Sequence, residues 1–388
     1  MRKTIILIVS LALMATSAFA DWEAGVQAFK DRNFDAAIQN FQKVVESSPE
    51  AFQGHYMLGL SLGQAGRKEE ALNHLRKAYD LNPNDLSIKL ELGKSYTTVR
   101  RHADAAKLLG LISQAEMDKL DVAKKKAVYQ MRAAAREKSN DDNGAYADYK
   151  ALADISPKDA KVHFKVGIMA NNRGEMQTAL TSIDRAANLD PSNQDMKRAQ
   201  VNVLKKQGRM SRDKNAKKQA YLKAVNVSKQ LSQVSASHEN LLLLCEVQLG
   251  AGQYADAAGS CDQASSKKGN DWLAKFYLGQ ALTSTEKYSE AEASLQAALG
   301  LVQKAEDRKQ VERAQCFVFE KQKKYTDAIS CYEGVGDNSG VARVRENEAT
   351  ALENAKIEAH NDEIARMEEE AKKLEAELKA LEEGGGGR

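Results

Sequence analysis

The chain repeats itself every 34 residues. Gly25, Gly59 and Gly93 keep that spacing, as do Ala37, Ala71 and Ala105, and the four prolines pair off at the same interval, Pro49 with Pro83 and Pro157 with Pro191. A unit this short cannot bury its own apolar face, so neighbours must stack into an array rather than fold about one centre. Within the clearest unit, Leu58, Leu62 and Leu75 recur at helical spacing and form an apolar stripe. Gly59 and Ala71 are small where two antiparallel helices approach most closely, and a larger side chain there overpacks the contact. Gly66 gives the turn between the helices a permissive backbone, and Pro83 follows a helix that it cannot continue. Only 4 prolines and 6% aromatics in 388 residues favour helix and argue against a β-sandwich or a disordered tract.

The unit Tyr56-Met57-Leu58-Gly59, with Gly66, Ala71, Leu75, Ala78 and Pro83 behind it, resembles the tetratricopeptide repeat (TPR) family. The resemblance implies an all-α solenoid, a right-handed superhelix of antiparallel helix pairs. In that family the first helix of each pair lines a concave face that holds peptides, helices or other subunits. Nine units follow the frame. Residues 21–118 carry units 1–3 (21–51, 52–85, 86–115), and residues 238–338 carry units 7–9 (238–271, 272–305, 309–338). Residues 119–237 hold the irregular units 4–6 (120–159, 160–193, 194–237), with about six extra residues at the first junction and about ten in the second half of the last. Carrying over the family's inward positions gives a partner-binding set of Tyr56, Leu60, Leu90, Lys94, Phe164, Ile168, Asn171, Asn172, Leu242, Phe276 and Gln280. Aromatic and amide side chains along a groove suit an extended peptide, because amides pair with its backbone. The Lys and Asn set that chaperone-binding relatives use for a C-terminal carboxylate does not recur in frame.

Residues 1–20 have the three parts of a secretory signal peptide: Arg2 and Lys3, an apolar run from Thr4 to Ala15, then Ala18-Phe19-Ala20 with small residues where a peptidase cuts. Cleavage near Ala20 places the chain in the periplasm or medium, with no transmembrane segment left; an uncleaved N-terminal anchor is the other reading. Export gives the four cysteines meaning. In the repeat frame Cys245 and Cys316 replace the residue equivalent to Gly59, Cys261 matches Leu75, and Cys331 lies one residue before that position. These positions face each other across a hairpin, so either two disulfides form or four small thiols are buried.

Chemistry leaves little trace. Six scattered histidines show no His-x-x-x-His pair, His55 and His163 share one packing position in the frame, and no glycine-rich phosphate loop follows a strand. The expectation is a chain without enzymatic activity, cofactor or metal. The net charge of +3 gives no overall pull toward nucleic acid or membrane, and nucleic-acid binding is further disfavoured by export. The charge is nonetheless uneven. Residues 197–229 concentrate Lys205, Lys206, Arg209, Arg212, Lys214, Lys217 and Lys218, either a solvated helix face or a contact for an anionic polymer such as peptidoglycan.

From residue 339 to 383 the period changes to seven. Ile357, Ile364, Ala371 and Leu378 form one row of a heptad seam, and Met367, Leu374 and Leu381 belong to its partner row. Val341 and Val344 suit a cap on the last repeat, and the remainder either self-associates as a coiled coil or folds back on the repeats. Residues 384–388 read as a flexible glycine end. The leading expectation is a scaffold of the bacterial cell envelope that binds a partner protein in its groove; the alternative is an envelope-polymer binder. If the cysteines pair as the frame places them, non-reducing mass mapping of the exported protein will find Cys245–Cys261 and Cys316–Cys331, and a loop of this length is stabilised by roughly 3 kcal/mol. Four free thiols would refute the pairing.

Overall fold

A computed structural model describes residues 19–384, with side chains placed up to residue 381; the signal-peptide reading for residues 1–18 and the tail residues 385–388 lie outside the described residues. Among the described residues every regular element is a helix. The described residues divide into two compact units, one ending at Val203 and the other starting at Leu204.

In the first unit the helices are α1 (residues 19–30), α2 (Phe34–Ser47), α3 (Phe52–Gln64), α4 (Lys68–Leu81), α5 (Leu86–Thr98), α6 (His102–Gly110), α7 (Gln114–Asp118), α8 (Val122–Lys138), α9 (Asp142–Ile155), α10 (Ala160–Asn172) and α11 (Met176–Leu189). Helix α12 (Gln194–Met210) runs from the first unit into the second. The second unit continues with α13 (Lys214–Val234), α14 (His238–Ala251), α15 (Tyr254–Lys267), α16 (Trp272–Ser284), α17 (Tyr288–Leu301), α18 (Ala305–Lys321), α19 (Tyr325–Gly334) and α20 (Asn338–Gly384). Most helices pack on the next along the chain within their unit, α6 packs on α8 past the short α7, and first helices of successive pairs also touch: α3 with α5, α14 with α16, α16 with α18. This is the tetratricopeptide solenoid that the 34-residue period predicts.

One contact recurs inside the pairs. A β-carbon on Gly25 would sit 2.8 Å from the Phe41 ring, and one on Gly59 would sit 2.8 Å from Leu75 Cγ. Gly93 meets Leu109, Gly167 meets Ile183 and Gly279 meets Leu295 in the same way, always 16 residues on. In the two cysteine hairpins a disulfide stands in that place: Cys245 joins Cys261 and Cys316 joins Cys331, with Cα atoms 5.1 and 5.4 Å apart. Seven residues beyond the small residue the backbone enters the left-handed region, at Gly66, Gly174 and Gly252 but also at Arg32, Arg100, Asn140, Glu286 and Lys323. The turn is therefore imposed by the packing of the two helices, since five side chains accept a conformation that costs about 1–2 kcal/mol.

The irregular repeats have local causes. The insertion before α8 is the short helix α7, opened by a capping box in which Ser113 and Glu116 bond each other's backbone. Glu116 also accepts a 2.8 Å bond from the buried Lys89; that bond and then those from Ser113 hold its carboxyl at about 2. In the next irregular unit Gly208 stays helical within α12, and the Tyr221 ring of α13 lies against it and against Gly250 of α14. With no turn at that position both helices run long, 17 and 21 residues.

His55 and His163 each bond the carbonyl of the preceding proline, Pro49 at 3.0 Å and Pro157 at 3.2 Å, so they tie loops to helices. At the far end, Val341 and Val344 of α20 are buried against Cys316, Ala328 and Tyr332, and Arg343 bonds the buried Glu320 at 2.8 Å. Beyond residue 351 α20 is exposed on every side, so it does not fold back on the repeats.

Two expectations follow. Ala71 is buried with its methyl 3.8 Å from where a Gly63 β-carbon would stand, so Ala71→Leu should destabilise the first unit by about 1–3 kcal/mol. Thermal unfolding checks this, and an unchanged midpoint would reject the frame. His74 stacks on His55 with their Nδ1 atoms 3.1 Å apart; burial and then His55 hold it below the ordinary histidine value. The unfolded chain takes up that proton near pH 6.5 while the folded chain resists it, so stability should fall as pH drops below about 6.5. Denaturant unfolding of His74→Gln between pH 7 and 5 should show a flatter dependence; an unchanged slope would assign the loss to other groups.

Candidate functional site

The first helix of each pair contributes two kinds of side chain to the surface it shares with its neighbours, and the small residue of the hairpin contact separates them. Three residues before it stand Tyr56, Leu90, Phe164, Leu242 and Phe276. All five are packing residues. Tyr56 lies on the cluster of Leu72, Leu75 and Leu92, where burial and then Glu91 and Asp85 push its hydroxyl up to about 12. Leu90 packs on Leu109, Ile112 and Met117, Phe164 on Ala186, Ala187 and Met196, and Leu242 on Leu241, Ala264 and Ala274. Phe276 is 7% exposed and belongs to the core with Leu282, Leu295 and Val311. Phe276 is thus corrected from groove to core, and Phe164 is half-buried rather than a free anchor. The reason is steric: this position points toward the next pair in the stack, which covers it.

One residue after the small one, the pattern reverses. Leu60, Lys94, Ile168 and Gln280 stand there, joined by Asn172 five residues after Gly167, and each lines a cleft or its rim. Leu60 and Lys94 border a narrow cleft of about 120 Å³ with Gln64, Glu91 and Thr98. Ile168 and Asn172 line a cleft of about 560 Å³ between the α8–α9 turn and α10, together with Glu137, Asn140, Asn143, Lys165, Met169 and Arg173. Asp141 and Asp142 also line it, and both of its cations are paired. Glu137 accepts from Lys165 at 2.6 Å and from the Tyr149 hydroxyl at 2.9 Å, and these bonds outweigh the opposing effect of burial to hold its carboxyl below the usual range. Arg173 donates to Glu175 at 2.9 Å and to Asn143. Beside these charged groups the cleft has an apolar floor of Ile168 and Met169 under three amides. Asn171, also in the predicted set, is half-buried and does not line this cleft.

Gln280 lies in a third cleft, of about 380 Å³, with Leu249, Tyr254, Thr283, Ser284, Gln310, Arg313 and Phe317. Phe317 and Glu246 occupy the same register position as Gln280, one residue after Cys316 and Cys245. The sequence reading passed over both; extending the frame by that single offset finds them.

Glu246 changes the picture of the basic stretch. It accepts from Lys205 at 2.8 Å and from Arg209 at 2.6 Å. It also faces the Tyr277 hydroxyl, which burial first and then this carboxylate push upward. Lys205 and Arg209 are therefore committed to a carboxylate of the same unit, and Lys206 is half-buried. Arg212, Lys214, Lys217 and Lys218, at the start of α13, stay exposed. The seam residues Ile357, Ile364, Met367, Ala371, Leu374, Leu378 and Leu381 are exposed on α20. Among the described residues no helix is long and apolar enough to cross a membrane, and no group of three or more His, Cys, Asp or Glu side chains is placed to hold a metal ion.

Residues 23–85, 56–115 and 243–306 match the tetratricopeptide repeat family. A curated relative, the anaphase-promoting complex subunit 3 of Schizosaccharomyces pombe, is 25% identical over 181 residues, 47% of this chain; the chain spans 26% of that protein's length. Among solved structures, MamA residues 41 to the end from Desulfovibrio magneticus RS-1 is 16% identical, with a TM-score of 0.38, over 46% of this chain and 97% of its own. The TPR domain of P58(IPK) is 14% identical, with a TM-score of 0.28, over 87% and 99%. YrrB, described as a TPR protein with an unusual peptide-binding site, is 16% identical, with a TM-score of 0.37, over 54% and 97%. Tetratricopeptide arrays present extended surfaces for binding other proteins, and the chain carries such repeats over residues 23–115 and 243–306.

Proposed function

We propose that this chain is an exported, non-enzymatic scaffold of the bacterial cell envelope. It holds an extended segment of a partner protein against the first-helix faces of its repeats. The observation that carries the reading is the split between the two register positions. Residues three before the small one are consumed by packing, whereas those one and five after it border clefts with apolar floors and amide rims. Amides can pair with a peptide backbone while Ile168, Met169 and Phe317 take its apolar side chains.

Export is supported from two sides. Beside the expected cleavage point Phe19 and Ala20 are exposed, as a cut there requires, while Trp22 just beyond it meets Phe41 edge-on at 5.6 Å. Two cysteine pairs at disulfide distance suit an oxidising compartment.

A second reading keeps one specific support. Arg212, Lys214, Lys217 and Lys218 form an exposed cationic edge, which suits an anionic envelope polymer. One experiment separates the two. Ile168→Ala with Asn172→Ala should weaken capture of envelope partners by the tagged chain at least tenfold, about 1.4 kcal/mol, with helicity unchanged. Phe164 is left intact because truncating it would disturb packing. If capture survives this pair and is abolished by reversing charge at Arg212, Lys214, Lys217 and Lys218, the cationic edge is the binding surface.

A further inference from the structure

The exposed length of α20 carries its charges in a pattern that selects what can lie along it. With Ile357, Ile364, Ala371 and Leu378 as position a and His360, Met367, Leu374 and Leu381 as position d, the flanking positions follow. Position g is Lys356, Glu363, Glu370 and Glu377; position e is Asn361, Glu368, Glu375 and Glu382. Six of the eight flanking residues are glutamates. The cations of the same stretch, Arg366, Lys372, Lys373 and Lys379, fall at positions b and c on the outer flanks. There Lys373 pairs with Glu369 at 3.1 Å, away from the seam.

Two consequences follow for a second copy. In a parallel pair, position g of one helix faces position e of the next heptad on the other, so Glu363, Glu370 and Glu377 would face Glu368, Glu375 and Glu382 on both edges. An antiparallel pair sets g against g and e against e, which again brings glutamates together and leaves only Lys356 to face an opposite charge. The seam is also short, about three and a half heptads, with Ala371 and His360 weakening it, so it has little to set against that repulsion. Nor can the chain's own basic helix serve: the apolar residues of α13, among them Tyr221, Ala224, Val225 and Leu231, are already buried in the repeats.

We infer that the exposed seam of α20 is a docking site for a different protein's helix, one with apolar a and d positions flanked by Lys or Arg at e and g. The argument is independent of the three repeat clefts described above, because none of them is lined by this stretch of α20. Opposite charge at the flanks would supply both attraction and register, and the glutamates would exclude pairing with another copy.

The test uses the full chain and two synthetic 28-residue helices, each with Ile at a and Leu at d; one carries Lys and the other Glu at every e and g position. Light scattering should show no association through α20 in the chain alone. The Lys-flanked peptide should bind at least 100-fold more tightly than the Glu-flanked one, with affinity falling as salt rises. Charge-neutral Leu374→Gln with Leu378→Gln should abolish that binding, which attraction to a merely acidic helix would survive. Glu363→Lys, Glu370→Lys and Glu377→Lys together should turn the chain into a dimer, because Lys at g would then face Glu at e. A wild-type dimer that Leu374→Gln with Leu378→Gln dissolves would overturn the inference in favour of a second copy. Equal binding of the two peptides would overturn it as well.

Discussion

Five hairpins of this molecule depend on one close approach, between a glycine on the first helix and a large residue sixteen positions later on the second. Gly59 under Leu75 and Gly167 under Ile183 show what it requires, since a single β-carbon on either glycine would collide with the side chain above it. The approach fixes where two helices cross, which drives the turn seven residues on into the left-handed region even at Arg100 or Glu286. It also sets the register of the rest of the first helix. One edge is left for the next hairpin to cover and another is left open, so the packing that makes the array stable also decides which side chains border its clefts.

This explains how much of the molecule was legible before its structure was known. A period of 34 and the small residues locate the hairpins, and placing cysteines at both ends of the close approach locates the two bridges. The groove was less legible because a family's inward positions mix two edges of the same helix. Phe276 and Gln280 lie four residues apart on α16, yet one is core and the other borders a cleft. Their chemistry gave no warning, since an aromatic at the earlier position looks like a ligand anchor until the covering hairpin is in view. Where the period slips, between residues 194 and 237, even the frame was lost. Lys205 and Arg209 read as free cations because Glu246, 41 and 37 residues away in sequence, could not be aligned with them.

Charge is used differently in the repeats and in the terminal helix. In the repeats several charges have their counterpart at hand: Glu137 with Lys165, Arg173 with Glu175, and Glu246 with Lys205 and Arg209. Charges of both signs mix along the cleft walls, beside apolar and amide groups that can take part in recognising a segment. On α20 the opposite holds, with like charges kept together along both flanks of one apolar line. A surface of the first kind tolerates varied sequences, whereas one of the second kind is selective for the sign of what approaches.

The two disulfides also have a mechanical meaning. Each closes within one hairpin, over 16 and 15 residues, and neither crosses to a neighbour. A load applied along the chain would therefore still separate one hairpin from the next, since only noncovalent packing joins them. The two bridged hairpins would nevertheless release about half the slack of an unbridged one, because each bridge withholds roughly 50 Å of contour from extension. Held between two attachment points, such a chain would lengthen most through its unbridged repeats, with Cys316–Cys331 shortening the hairpin beside the root of the terminal helix and Cys245–Cys261 the hairpin two pairs before it.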